Sequence, residues 1–190
     1  MNQTIPMKKP IDVDAMFPQF AQVSDPELKQ KTIEIWEELW AMSEFQDIDT
    51  VPTSGDIPTP NLPHSRSVLT MCLAVADSFE RYHGVKVDRD VLIVAAILQD
   101  ASKVVEYSPK PEGGVTRTDI GRTYGHAFWV TMLAAQKGLP LAISHILLTH
   151  SPQAAKFPQS LEGKIIYYVD QLDVIAIHGD HWIKESIIRK

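Results

Sequence analysis

The chain is 190 residues long and 44% hydrophobic, with 18 basic residues against 24 acidic ones and a net charge of -6. That size suits a single packed domain, and the missing basic excess argues against nucleic acid as a partner. A lone cysteine, Cys72, excludes an internal disulfide, and no apolar run reaches membrane-spanning length, so the sequence reads as a cytoplasmic protein without membrane contact.

Residues 1–23 contain prolines and no periodicity, which predicts an extended or partly mobile arm lying on a domain that spans 24–190. Ser24-Asp25-Pro26-Glu27 is a helix start, and Ile33, Trp36, Leu39 and Trp40 follow at helical spacing, giving a helix over about 25–45. Pro52, Gly55, Pro58 and Pro60 forbid a helix over 46–62, and a loop of this length is a lid or surface padding. A second helix runs over about 63–83 and stops at Gly84; Val68, Cys72, Val75 and Phe79 mark its core face, with Cys72 a small buried residue.

Asp88 caps the next helix, whose apolar run from Val91 to Leu98 is too continuous for a surface element and predicts a central helix. Pro109, Pro111, Gly113 and Gly114 make 108–118 a second loop. Further helices are expected over about 121–137, ended by Gly138, then 139–150 and 160–178, although Ile165 to Val169 also has strand propensity. The fold class is all-α, a single helical domain.

Asp100 directly follows the apolar run, and a carboxylate buried there is costly unless a positive group, usually a metal, compensates it. His64, His126, His145 and His150, with Asp170 and Asp173 beyond, could converge on it. His64, Asp100, His126, His150 and Asp170 fall on separate predicted helices or helix ends, and such a set meets only inside a bundle.

These residues carry a resemblance to the HD-domain superfamily of metal-dependent phosphohydrolases. Leu62-Pro63-His64-Ser65-Arg66 matches its first His, and Gln99-Asp100-Ala101-Ser102-Lys103 is similar to the His-Asp-Ile-Gly-Lys element. Gly121-Arg122-Thr123-Tyr124-Gly125-His126 and His145-Ile146-Leu147-Leu148-Thr149-His150 resemble segments of its exoribonuclease-like branch, and Tyr168-Val169-Asp170 matches the final metal-binding Asp. The resemblance spans about residues 62–175 and implies an HD-type bundle holding one or two divalent ions. It departs at Gln99, where the family has a His, and a neutral amide is a poorer ligand than imidazole. Asp100, His126 and His150 form a two-His, one-carboxylate triad suited to Fe, Mn or Zn, while His64, Asp100 and Asp170 remain of the other site.

Asp100, Lys103 and Gln99 are the candidate catalytic residues, Gln99 binding through its oxygen or holding a metal-bound water. Lys103 lies one helical turn after Asp100 and can hold an anion, as can Arg122 and Tyr124; Arg117 reads as surface charge. Arg66 reads as a structural ion pair and His145 as a residue behind the ligands, since it is about 140 degrees from His150 round a helix. His83 reads as a helix end, and His178, Asp180 and His181 around Gly179 as a turn. The expected activity is metal-dependent hydrolysis of a small anionic, phosphorylated substrate, with a homo-oligomer left open. Two alternatives are an HD-like non-haem iron oxygenase and a binding protein whose pocket lost catalysis through Gln99.

Overall fold

The computed structural model describes residues 8–55 and 59–178. In chain order they form α1 (Val13–Met16), a 3-10 turn (Pro18–Gln22), α2 (Pro26–Met42), a second 3-10 turn (Ile48–Thr50), α3 (Asn61–His83), α4 (Arg89–Leu98) and α5 (Lys103–Glu106). Then come β1 (Tyr107–Pro109), β2 (Val115–Arg117), α6 (Asp119–Thr123), α7 (Gly125–Gln136), α8 (Leu141–Thr149) and α9 (Leu161–His178). The fold is all-α, as expected, with one two-stranded antiparallel hairpin among the described residues. No helix is long and apolar enough to cross a membrane among these residues.

Local signals place the long helices. Asp25 accepts hydrogen bonds from Glu27 N and Leu28 N ahead of Pro26, so α2 starts where a cap and a proline coincide. The Asp88 side chain likewise accepts from Val91 N and starts α4, and Gly84, with φ 65, ends α3 in the left-handed region. Every residue from Leu92 to Leu98 is buried, and α4 packs against α2, α3, α8 and α9. Burying each Leu or Ile there contributes roughly 1.5–3 kcal/mol, which offsets the cost of carrying Asp100 inward at its end. Ile165 to Val169 is helical within α9, because its residues alternate with Asp170 and Asp173 at the helical rather than the strand period.

Three expectations are corrected. Residues 13–23 are not an extended arm: α1 and the first 3-10 turn bury Val13, Met16, Phe17, Phe20 and Val23 in the core, and Phe17 meets Trp36 at 6.0 Å between ring centroids. Arg66 makes no ion pair among the described residues; its guanidinium donates to the carbonyls of Met16 and Ala15 and closes the end of α1. The helix expected over 121–137 is broken at Gly125, whose φ of 69 turns α6 into α7. The second loop also contains the β1–β2 hairpin, turned by Gly113 and Gly114.

Candidate metal centre

α4 delivers Asp100 to a turn before α5, and the long helices bring the histidines to it. His64 comes from the first turn of α3, His126 from the start of α7, His150 from the end of α8 and Asp170 from the middle of α9. The short segments set the fine geometry. A Cβ on Gly121 would lie 2.2 Å from the Glu106 carbonyl oxygen, so only glycine lets α6 pass this close to α5. Ser102 Oγ then donates to His126 O at 2.6 Å and ties α7 to the Asp100 turn.

All three imidazoles turn Nε2 towards Asp100. His64 Nε2 lies 3.4 Å from Asp100 Oδ2, while His126 Nε2 and His150 Nε2 lie 3.3 and 3.7 Å from Oδ1. Each Nδ1 faces a group that can only accept: Asp173 Oδ2 at 2.7 Å for His64, Glu106 Oε2 at 3.0 Å for His126, and Leu147 O at 2.8 Å for His150. For His64 and His150 that pattern places a proton on Nδ1 and commits Nε2 to the centre, the arrangement by which proteins orient metal-ligating histidines, whereas His126 Nδ1 stands at ion-pair distance from Glu106 without a hydrogen bond to it. Asp170 Oδ1 adds a contact to His64 Nε2 at 3.1 Å.

Two sets of ligand atoms, His64/Asp100/Asp170 and Asp100/His126/His150, each lie within 4.8 Å of one another and can hold a divalent metal. They share Asp100 alone. The donor chemistry fits: imidazole nitrogens and carboxylate oxygens, buried, with outer partners already in place.

Without an ion the acids and imidazoles compensate one another. Burial holds Asp100 back from ionising, yet the Lys103 ammonium and the imidazoles outweigh it and keep the carboxyl well below the usual range. Burial likewise opposes charge on His64, but Asp100, Asp170 and Asp173 push its pKa up to about 11. His150 is raised against burial by Asp100. His126 goes the other way, lowered by burial and by Lys103. Lys103, buried and 3.6 Å from Glu106, is raised by Asp100 and Glu106 against its burial and stays an ammonium ion.

The centre opens into a cavity of about 470 Å³ whose wall includes Lys103, Arg117, Tyr124 and Phe128, with Thr53 and Ser54 from the 46–62 loop. Arg122 does not line it: exposed, it pairs with Asp119 and donates to the Arg117 carbonyl, so Arg117 and not Arg122 is the arginine at the cavity. Gln99 is fully buried, outside the cavity lining, with neither amide atom partnered among the described residues. His145 is not behind the ligands; its Nε2 accepts from Gln159 N and fastens the segment before α9. His178 lines the cavity, while Asp180 and His181 lie outside the described residues. Sequence reasoning missed Glu106, and gave Asp173 no role beside His64; Glu106 lies three residues after the candidate catalytic Lys103 on α5, and Asp173 three residues after the predicted ligand Asp170 on α9.

The HD-domain family model matches residues 62–175. Over 163 residues the chain is 26% identical to the dihydroneopterin 2',3'-cyclic phosphate phosphodiesterase of Methanocaldococcus jannaschii, covering 80% of this chain and 65% of that protein. It is 33% identical over 129 residues to the 3'-5' exoribonuclease YhaM of Bacillus velezensis, covering 62% of this chain and 39% of the relative. The YhaM of Bacillus subtilis is 32% identical over 122 residues, with 58% and 37% covered. The chain thus spans just under two thirds of the first relative's length and well under half of the exoribonucleases'. No solved structure matches.

Proposed function

The chain belongs to the HD-domain family, and from that premise we propose that it is a metal-dependent phosphohydrolase acting on phosphodiesters. The observation that carries this reading is the shared orientation of His64, His126 and His150, each with Nε2 towards Asp100, with Nδ1 hydrogen-bonded to an acceptor in His64 and His150 and facing Glu106 in His126. Both kinds of relative are named for cleaving a phosphodiester, which favours a diester over a monoester. The exoribonucleases also remove the force of net charge as an argument against nucleic acid, so RNA belongs among the substrates to try.

His64, Asp100 and Asp170 would hold one ion, and Asp100, His126 and His150 the other. A bound divalent ion supplies Lewis acidity at a phosphoryl oxygen and lowers the pKa of water. Asp100, with one oxygen turned to each set, serves as a shared ligand rather than a free base. Lys103 keeps its charge in a buried place beside the cavity, where an ammonium stabilises the negative charge that builds on phosphate oxygens. Hydrolysis joins a water oxygen to phosphorus and breaks one P–O ester bond, with the water's proton passing to the departing alkoxide.

The test is turnover by protein stripped with chelator and reloaded with Mn(II), Fe(II) or Zn(II), on 2',3'-cyclic AMP, bis(p-nitrophenyl) phosphate, a short single-stranded RNA and p-nitrophenyl phosphate. Diester cleavage should depend on metal and exceed monoester cleavage. Asp100→Ala should lose both ions and more activity than the roughly 10²–10³-fold that one lost stabilising donor costs. Absence of metal-dependent cleavage of every diester overturns the reading.

A further inference from the structure

Tyr124 and Phe128 stack with ring centroids 5.4 Å apart and planes 15° from parallel, and Trp129 leans on Tyr124 at 5.6 Å. Both stacked rings line the cavity that contains the metal centre, yet they remain 50% and 46% exposed. Aromatic rings left half in water forgo much of the burial that stabilises a core. The fold has pressed other large rings inside, Phe17, Phe20 and Trp36 among them.

The position of the pair follows from the centre itself. Residues four apart on a helix are neighbours, so Phe128 on α7 reaches back to Tyr124, and the Gly125 turn lets Tyr124 stand at the helix start beside His126. An aromatic wall is therefore built two residues to either side of a candidate metal ligand. The cavity is large enough for a ligand of nucleotide size. Its wall also carries Arg117, Gln153 and Lys156, polar groups that suit a heterocycle's edge and phosphate better than an acyl chain.

We propose that the Tyr124–Phe128 pair seats a planar heteroaromatic ring attached to the scissile phosphoester, which makes the substrate a nucleotide-like ester rather than a plain sugar or glycerol phosphate. This rests on the phosphodiester reading for the position of the phosphate. Stacking on aromatic side chains is tolerant of ring identity because every base has a π-face. The pair thus selects for a ring and not for one base.

Binding can be read without turnover. Zn(II)-loaded protein is titrated with 2-aminopurine riboside 5'-monophosphate, whose fluorescence falls on stacking. Quenching is expected, with Kd weakened about tenfold or more in Tyr124→Ala and Phe128→Ala, a loss typical of one stacking contact, and retained in Tyr124→Phe. Phe128→Leu, which keeps apolar bulk without a ring, should behave as Phe128→Ala and guards against a folding defect. In turnover, the kcat/KM ratio of 2',3'-cyclic AMP over glycerol 1,2-cyclic phosphate should fall in the same variants, through KM. An unquenched probe, or Ala and Leu variants within twofold of the parent Kd, overturns the proposal. Quenching without diester cleavage would instead uphold the ring seat and overturn the hydrolase reading.

Discussion

The two halves of the metal centre share a carboxylate and differ in almost everything else. Around Asp100 Oδ2, a single imidazole, His64, is held among three acids, Asp100, Asp170 and Asp173. Around Oδ1, two imidazoles, His126 and His150, stand with Lys103 and Glu106 close by. Without an ion, the acid-rich half draws a positive charge, and His64 carries it as a proton. The imidazole-rich half is mixed: burial and Lys103 keep His126 neutral and ready to donate a lone pair, while Asp100 raises His150 against its burial. One carboxylate can therefore serve two sites of unequal readiness, because its neighbours and not its own chemistry decide what each oxygen meets.

The sharpest way to break this comparison is to remove each outer carboxylate in turn. Asp173→Asn should weaken metal held by His64, Asp100 and Asp170, and Glu106→Gln should weaken metal held by Asp100, His126 and His150. Each loss should be about 10–100-fold, the usual cost of removing the acid behind a ligating histidine. Titration calorimetry with chelator competition resolves the two ions. If both variants weaken the same ion, the halves are one site and the contrast between them fails.

Acidity separates the halves more gently. His64 rises from the ordinary imidazole value near 6.5 to about 11 on folding, so its contribution to stability is complete below the lower value. It is lost as pH climbs towards the upper one. His126 is lowered on folding, so its contribution is present above the ordinary value and is lost as pH falls. Chelated protein should thus lose Tm on both sides of neutrality, and His64→Gln should reduce the alkaline limb, to which His150, raised by Asp100, contributes the remainder. An alkaline limb unchanged in that variant would show that His64 is not the charge responsible.

What the sequence made legible was local. The run from Val91 to Leu98, the Asp25 and Asp88 caps and the Gly84 stop act within one or two turns, and the helices they predict are present. The convergence of His64, Asp100, His126, His150 and Asp170 was legible too, because a motif in fixed order encodes it. The N-terminal segment was not: a four-residue helix followed by a 3-10 turn has no 3.6-residue period to find, even though Phe17 and Phe20 are core residues. Glu106 was hidden for another reason, since it touches a ligand's far nitrogen and becomes meaningful only when Gly121 lets α6 approach α5. Arg122 was overvalued because sequence placed it near the centre while Asp119, three residues away, turned it outward.

Gln99 offers the finest adjustment. Its amide is sealed in the core with no partner on either atom among the described residues, and leaving a buried polar group unpaired costs about 1–3 kcal/mol. A sequence that retains such a group adjacent to Asp100 retains it at a cost. Imidazole binds these ions better than a neutral amide, so Gln99→His should tighten the metal held by His64, Asp100 and Asp170 and leave that held by His126 and His150 nearly unchanged. Elemental analysis after purification without chelators should then show a higher metal-to-protein ratio than the parent. If turnover falls while the ratio rises, the amide orders a water or the substrate and its replacement costs function. An unchanged ratio would mean that residue 99 does not face the ions, and the unequal readiness of the two halves would then rest on Asp170 and Asp173 alone.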